Sequence, residues 1–303
     1  MTDAILATAE SPLQRPRKAH WLTWLRRVAT ILLTFYVFAC VAVYFLQDML
    51  IFPGRSTQGD ARANVTETAT TSLVKMTLPD GTPLVARFDR APASPERAPT
   101  VLLFYGNGQC AQSTGGVIFL LQQLGCNVLT PDYPGYGMSG GTTTEARIIA
   151  LADAAWAHLQ SRTDIDTQNL HLIGWSFGGS VAIDLAARVQ PRSLTAISSF
   201  TSIDDLARHR LPIVPTSLIL RTHMRSIDKI AKVKCPILLI HGERDSIVPA
   251  EMSRQLASRA TAPVSTFFPK ESDHNNIFDV DMDPLVVAIA RHLYTKSPPR
   301  SSQ

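Results

Sequence analysis

From residue 72 to residue 294 the chain alternates short apolar runs with stretches whose apolar residues recur every three or four positions. SLVKMTLPDGTPLVARFDR (72–90) alternates on either side of Pro79-Asp80-Gly81 and predicts two strands around a turn. TVLLFY (100–105), CNVLTPDY (126–133), LHLIGW (170–175), LTAISSF (194–200), CPILLIHG (235–242) and VSTFFP (264–269) read as further strands. Helical spacing occupies 117–125, where Gly125 is a plausible cap, and 142–160, 178–189, 250–260 and 284–294. Apolar strands alternating with amphipathic helices imply an α/β fold, a mainly parallel central sheet with helices on both faces. The initial hairpin can supply an antiparallel edge. Residues 201–234, with Pro212 and Pro215, break the rhythm and predict a small helical cap over the carboxyl edge of the sheet, where open α/β sheets bind ligands. The soluble domain is expected over 73–296, with a frayed tail at 297–303.

A different pattern precedes this region. Residues 28–47, VATILLTFYVFACVAVYFLQ, carry no charge and match the roughly 20 apolar residues of a membrane-spanning helix. Trp21, Trp24 and Tyr44 flank the run, as aromatic side chains do at membrane interfaces. Residues 1–27 hold five basic against two acidic side chains, a net +3 of the chain's +4. By the positive-inside rule the N-terminus is then cytoplasmic and the rest of the chain lies across the membrane. A cleaved signal peptide has an apolar region of only roughly 7–15 residues. A lipoprotein-type site at Cys40 fits poorly too, because the run continues past that cysteine. Residues 48–72 read as a polar connector.

The basic excess lies mostly outside the globular part, so a pI of 9.0 does not indicate nucleic acid, and no nucleic-acid motif is present. Cys110, Cys126 and Cys235 form no CxxC pair. An oxidising compartment would permit a Cys110–Cys126 disulfide; the blander alternative is three buried thiols acting as small apolar residues. There is no HExxH, no clustered His/Cys spacing and no phosphate-loop signature, so no metal or nucleotide cofactor is expected.

Chemistry enters at Gly174-Trp175-Ser176-Phe177-Gly178, a G-x-S-x-G sequence between an expected strand and an expected helix. A sharp strand-to-helix turn lifts a serine hydroxyl clear of the sheet, and backbone crowding two residues on either side admits only glycine or another small residue. A serine needs a base to become nucleophilic. In the order serine, acid, histidine, Asp245 follows the strand ending LLIHG, and His274 lies after the last strand. Glu243 and Asp273 are the competing carboxylates; Asp273 is discounted because adjacent side chains usually diverge. His209 and His223 fall in the cap, His241 ends a strand, and His292 sits on the last helix. Oxyanion donors are expected from the Phe177 N–H and from the Gly106-Asn107-Gly108 turn, with Asn107 first and Gly108 second.

FYGNG, PDYPGYGMSGG, LIGWSFGGSVA, CPILLIHGERDSIVP and DHNNIFD occur in that order. Together they resemble the α/β-hydrolase fold, in particular its single-pass, membrane-anchored serine hydrolases, over roughly residues 73–294. The resemblance implies a Ser176–Asp245–His274 triad and esterase, lipase or thioesterase activity through an acyl-enzyme. The substrate would be a small-molecule, lipid or acylated-protein ester. Members usually carry His-Gly where this chain has Tyr105-Gly106, and PDYPGYGMSGG departs from the more usual arginine form. Two other classes compete. Gly106-x-Gly108-x-x-Ala111 with Asp132 imitates a dinucleotide fingerprint, although strands precede it. A hydrolase-fold protein that binds without catalysing is the second.

Overall fold

The structure, a computed structural model, describes residues 20–93 and 96–295. The tail at 297–303 and the basic residues Arg15, Arg17 and Lys18 lie outside the described residues. The chain divides after Phe45 into two compact units.

Helix α1 (His20–Ile51) makes up the described part of the first unit, and its last turn belongs to the second. At 32 residues it is about 48 Å long, more than the ~30 Å of a bilayer's hydrocarbon core. Trp21–Ile51 is the one stretch among the described residues long and apolar enough to cross a membrane. The helix runs well past the uncharged 28–47. Arg26, Arg27 and Asp48 limit what a bilayer accepts, but arginine is a good helix former and interrupts no backbone hydrogen bond.

The second unit is built on an eight-stranded sheet: β1 (Thr71–Thr77), β2 (Pro83–Asp89), β3 (Thr100–Phe104), β4 (Asn127–Pro131), β5 (Leu170–Trp175), β6 (Ser193–Ile197), β7 (Ile237–Ile240) and β8 (Val264–Phe267). Its order is β1-β2-β4-β3-β5-β6-β7-β8. The hairpin β1–β2 is antiparallel and joins β4 antiparallel; every pair from β4 to β8 is parallel. Both outer strands are only partly buried, whereas β3, β4, β6 and β7 are buried throughout. That difference is why the inner strands read as unbroken apolar runs and the first hairpin alternates.

Alternate residues of the inner strands feed two cores. Leu102, Phe104, Leu172, Leu194 and Leu239 face one layer, with α3 (Glu145–Ser161), α4 (Phe177–Ala186) and α7 (Ala250–Arg259). Val101, Leu103, Ile173, Ile197 and Leu238 face the other, with α2 (Gly115–Gln123) and α9 (Met282–Tyr294). In α9, Leu285, Ile289 and Leu293 follow at four-residue intervals and form its buried stripe. Between β6 and β7 the inserted segment carries two short helices, α5 (Ile203–Arg210) and α6 (Thr216–Ile219). A further short helix, α8 (Ile277–Val280), precedes α9.

The segment after α1 does not run free as a polar connector. Phe52 is 1% exposed, and Ala63 and Val65 are buried. Short 3-10 turns at Pro53–Thr57 and Ala61–Ala63 lay this stretch along the unit. Cys40, Cys110, Cys126 and Cys235 are all free thiols; the last three are buried. Burial pushes the Cys126 and Cys235 thiols up to about 12, so they remain inert.

Candidate active site

Ser176 stands between β5 and α4 with φ 54° and ψ −116°. A non-glycine residue in that region stores roughly 1–3 kcal/mol, which persists only when its surroundings over-determine it. They do so here. A Cβ on Gly174 would lie 2.1 Å from the Gly178 carbonyl oxygen, and a Cβ on Gly178 would lie 2.1 Å from that of Phe104. The Ser176 N–H donates to Ile197 O at 2.7 Å. Strand, turn and helix are thus pressed together with no room for side chains, and the serine is held at the point of the bend.

His274 and Asp245 come to this point from two loops at the same edge of the sheet. His274 Nε2 lies 2.9 Å from Ser176 Oγ, and His274 Nδ1 lies 2.7 Å from Asp245 Oδ2. An ionised carboxylate only accepts, so the proton sits on Nδ1 and Nε2 accepts from the serine hydroxyl. The Asp245 side chain is fully buried and that of His274 is 7% exposed. Burial alone would raise the Asp245 carboxyl. Hydrogen bonds from His241, His274 and the Val248 N–H outweigh it and hold the group well below the usual carboxylate range. Asp245 Oδ1 also accepts from the Ile247 and Val248 N–H groups, at 2.9 and 2.7 Å.

The competing carboxylates are engaged elsewhere. Glu243 pairs with Arg254. Asp273 Oδ1 accepts from the Ser246 N–H and the His274 N–H, both at 2.7 Å, and so ties the Asp245 loop to the His274 loop. His223 faces Asp204 within the inserted segment, and His292 Nε2 lies 3.1 Å from Leu194 O.

The turn after β3 passes beside the serine: a Cβ on Gly106 would sit 3.7 Å from Ser176 Cβ. Gly106 O accepts from the Gln109 N–H at 3.2 Å. The peptide plane therefore turns the Asn107 N–H the opposite way. Neither the Asn107 nor the Phe177 N–H donates to any acceptor among the described residues. Phe177 also opens α4, so its N–H lies at the positive end of that helix. The Gly108 N–H is likewise unspent.

Behind this turn, Asp132 takes the part of a structural bracket. Its Oδ1 accepts from Tyr105 Oη at 3.0 Å and from the Ala111 N–H at 2.6 Å; its Oδ2 accepts from the Met138 N–H at 2.9 Å. Tyr133 Oη donates to Tyr105 O at 2.9 Å. Tyr105 is thus consumed in holding PDYPGYG against the Gly106–Gly108 turn. That packing accounts for a tyrosine where the resemblance leads one to expect histidine. The same bonds occupy Asp132, whose buried carboxyl is raised by burial and which a dinucleotide site would need for a ribose.

Two contributors escaped the sequence reading. His241 ends a strand, yet its Nε2 lies 3.1 Å from Asp245 Oδ2. Phe52 lay within the presumed connector, yet its ring stands edge-on to Phe177, with centroids 5.7 Å apart. The signal for the first was the four-residue spacing His241–Asp245; for the second, a lone aromatic before Pro53-Gly54 in a polar stretch.

Residues 99–218 match a family model described as the alpha/beta hydrolase fold. An uncharacterised protein of Mycobacterium tuberculosis is 34% identical over 195 residues, covering 64% of this chain and 69% of its own. Alpha/beta hydrolase domain-containing protein WAV2 of Arabidopsis thaliana is 36% identical over 190 residues, 56% of this chain and 61% of that one. Human alpha/beta hydrolase domain-containing protein 17B is 31% identical over 185 residues, 61% and 63% respectively. The chain spans less than two thirds of the plant and human relatives it matches. Among solved structures, an esterase of Pyrococcus furiosus superposes with a TM-score of 0.64 at 21% identity, covering 76% of this chain and 94% of that one. Est1E of Butyrivibrio proteoclasticus, with ferulic acid bound, gives 0.61 at 20% identity, covering 72% and 96%. At such identities the likeness is one of fold.

Proposed function

The chain belongs to the α/β-hydrolase fold family, and from that premise we propose that it is a membrane-anchored serine hydrolase cleaving carboxylic esters or thioesters through an acyl-enzyme. The observation that carries this reading is the relay Ser176–His274–Asp245, at 2.9 and 2.7 Å, beside the backbone N–H groups of Phe177 and Asn107, which have no acceptor among the described residues.

Ser176 Oγ attacks the carbonyl carbon while His274 Nε2 takes its proton. Asp245 holds the ring in the required tautomer and stabilises the imidazolium. The N–H groups of Phe177 and Asn107 receive the charge that forms on the carbonyl oxygen; each such donor is worth on the order of 10²–10³ in rate. As the tetrahedral intermediate collapses, His274 returns the proton to the leaving alcohol or thiol. Water then attacks the acyl-serine with His274 again as base, and free Ser176 is restored. Every step uses protein groups and water.

Helix α1 serves as the anchor in this reading, with the basic N-terminus on the cytoplasmic side and the hydrolase domain opposite. An anchor suits lipid or acylated-protein substrates held near the bilayer. Beneath Trp175, an apolar cavity lined by Leu103, Val117, Ile173, Ile197 and Phe278 has a volume of only ≈ 10 Å³. That is about one water's worth of space and holds no long chain as it stands. A short p-nitrophenyl ester, which asks for little acyl space, is the first substrate to try.

The test is labelling of the full-length protein with a fluorophosphonate probe, together with p-nitrophenyl ester turnover. Labelling and turnover in the parent, both lost in Ser176→Ala, support the enzyme. Folded parent protein that takes no label and turns over no ester is a binding protein instead.

A further inference from the structure

Phe52 and Gly54 lie just after α1, and each reaches one of the two residues proposed above as oxyanion donors, Phe177 and Asn107. Phe52 lies edge-on to the Phe177 ring, which Tyr133 flanks in the same way; both pairs have centroids 5.7 Å apart. The residue that opens α4 is thereby gripped between two aromatic rings. Asn107 is held at both ends. Its backbone oxygen accepts from the Gly54 N–H at 3.0 Å and from Tyr136 Oη at 2.9 Å, and its Nδ2 donates to Ile51 O at 2.9 Å.

The approach is too close for any side chain. A Cβ on Gly54 would lie 2.1 Å from Tyr136 Cε1 and 2.8 Å from Asn107 O. Further bonds lock the segment down. Thr57 Oγ1 donates to Gly54 O at 2.6 Å and accepts from the Gly137 N–H at 3.0 Å. Gln58 Nε2 donates to the Ser139 and Gly141 oxygens, both at 3.1 Å. A segment with no function beyond tethering needs none of this.

We propose that residues 51–54 are part of the oxyanion apparatus, with Phe52 and Gly54 as positioning residues for the Phe177 and Asn107 N–H groups. The inference rests on the serine-hydrolase reading. Electrostatic stabilisation of an oxyanion depends on donors fixed before the charge develops. With the peptide before Asn107 held through Gly106 O by Gln109, the peptide after it held through Asn107 O by Gly54 and Tyr136, and its side chain held by Ile51, Asn107 has little freedom to turn. The donor at α4 is restrained through its own ring. Loosening either contact should weaken the transition state more than the bound substrate, lowering kcat and leaving KM in place.

The experiment uses the full-length protein in detergent, with Phe52→Leu and Gly54→Ala. Active sites are counted by fluorophosphonate labelling carried to completion, and kcat is expressed per labelled site on p-nitrophenyl butyrate. A boronic acid that forms a tetrahedral anion on serine reports the oxyanion site separately. The expected result is a fall in kcat of roughly tenfold to a hundredfold, with KM within about twofold, boronate affinity falling in parallel and the shape of the pH profile unmoved. Phe52→Leu keeps the apolar filling and carries the test if Gly54→Ala does not fold. Parental kcat per labelled site and parental boronate affinity, with only the melting temperature lowered, would overturn the inference and leave the hydrolase reading standing. An unlabelled, inactive parent would overturn both.

Discussion

His241 Nε2 lies 3.1 Å from Asp245 Oδ2, the same oxygen that stands 2.7 Å from His274 Nδ1. One carboxylate oxygen therefore serves two imidazoles. His241 is fully buried, with Nδ1 2.7 Å from Ser253 Oγ and Nε2 also 2.8 Å from Val248 O. The neutral ring satisfies all three partners when Nε2 carries the proton and Ser253 donates to Nδ1. His241 then steadies the carboxylate through the same oxygen that holds His274.

Replacing that ring should reach the chemistry through Asp245. His241→Phe removes the donor and leaves a buried carboxylate with one partner fewer. A lost hydrogen bond of about 1–1.5 kcal/mol corresponds to roughly a tenfold fall in kcat. His241→Gln keeps a donor and should recover part of the loss. Steady-state ester kinetics per labelled site separate the two, and parental kcat in His241→Phe would detach this ring from the relay.

Asp245→Asn tests the tautomer. Oδ1 accepts from the Ile247 and Val248 N–H groups, so the amide keeps its oxygen there and puts its NH₂ where Oδ2 stood, and His274 Nδ1 must then accept. The ring proton moves to Nε2, which can no longer take the serine hydroxyl proton. A fall in kcat on the order of 10⁴ is expected with the fold intact. Circular dichroism and single-turnover acylation check the two halves of that statement.

The bend itself should tolerate no methyl group. In Gly178→Ala the new Cβ meets the Phe104 carbonyl, which belongs to a central strand and cannot give way cheaply. Destabilisation of about 3 kcal/mol or more is expected, with low recovery of folded protein. Gly108→Ala is the control, since a Cβ there meets nothing within 4 Å. Thermal melts of the pair decide it.

What could be read in advance follows from range along the chain. Every strand of the sheet was visible because burial on both faces makes an unbroken apolar run and half-burial makes alternation, each a local pattern. The G-x-S-x-G bend was visible because one of its two close approaches, Gly174 against Gly178, lies within five residues, although the other, Gly178 against Phe104, does not. Asp245 and His274 were reached through their order after the serine, which says nothing of distance. Phe52 and Gly54 were hidden because their partners, Phe177 and Tyr136, lie far away in sequence and impose no period. His241 was hidden because a histidine ending a strand looks the same whether or not a carboxylate shares its nitrogen.

Far from the serine, His171 offers a test of acid sensitivity. The ring is 1% exposed, with Nδ1 2.7 Å from Ser193 Oγ and Nε2 3.1 Å from Asn169 Oδ1. Burial, with the nearby charges of Arg192 and His292, lowers it to about 3. An unfolded histidine takes its proton near pH 6.5. Between those two values the unfolded chain binds a proton that the folded chain refuses, so folding stability rises with pH through this window. The contribution is complete above pH 6.5 and drains away as the solution is acidified below it. From pH 7 to pH 5 the loss from this one ring is roughly 2 kcal/mol. His171→Gln, which has no titrating group, should be less stable at pH 7 yet lose less on acidification. Unfolding of parent and variant followed side by side at the two pH values reads the difference directly. Equal losses in both would mean that the ring takes up its proton within the fold.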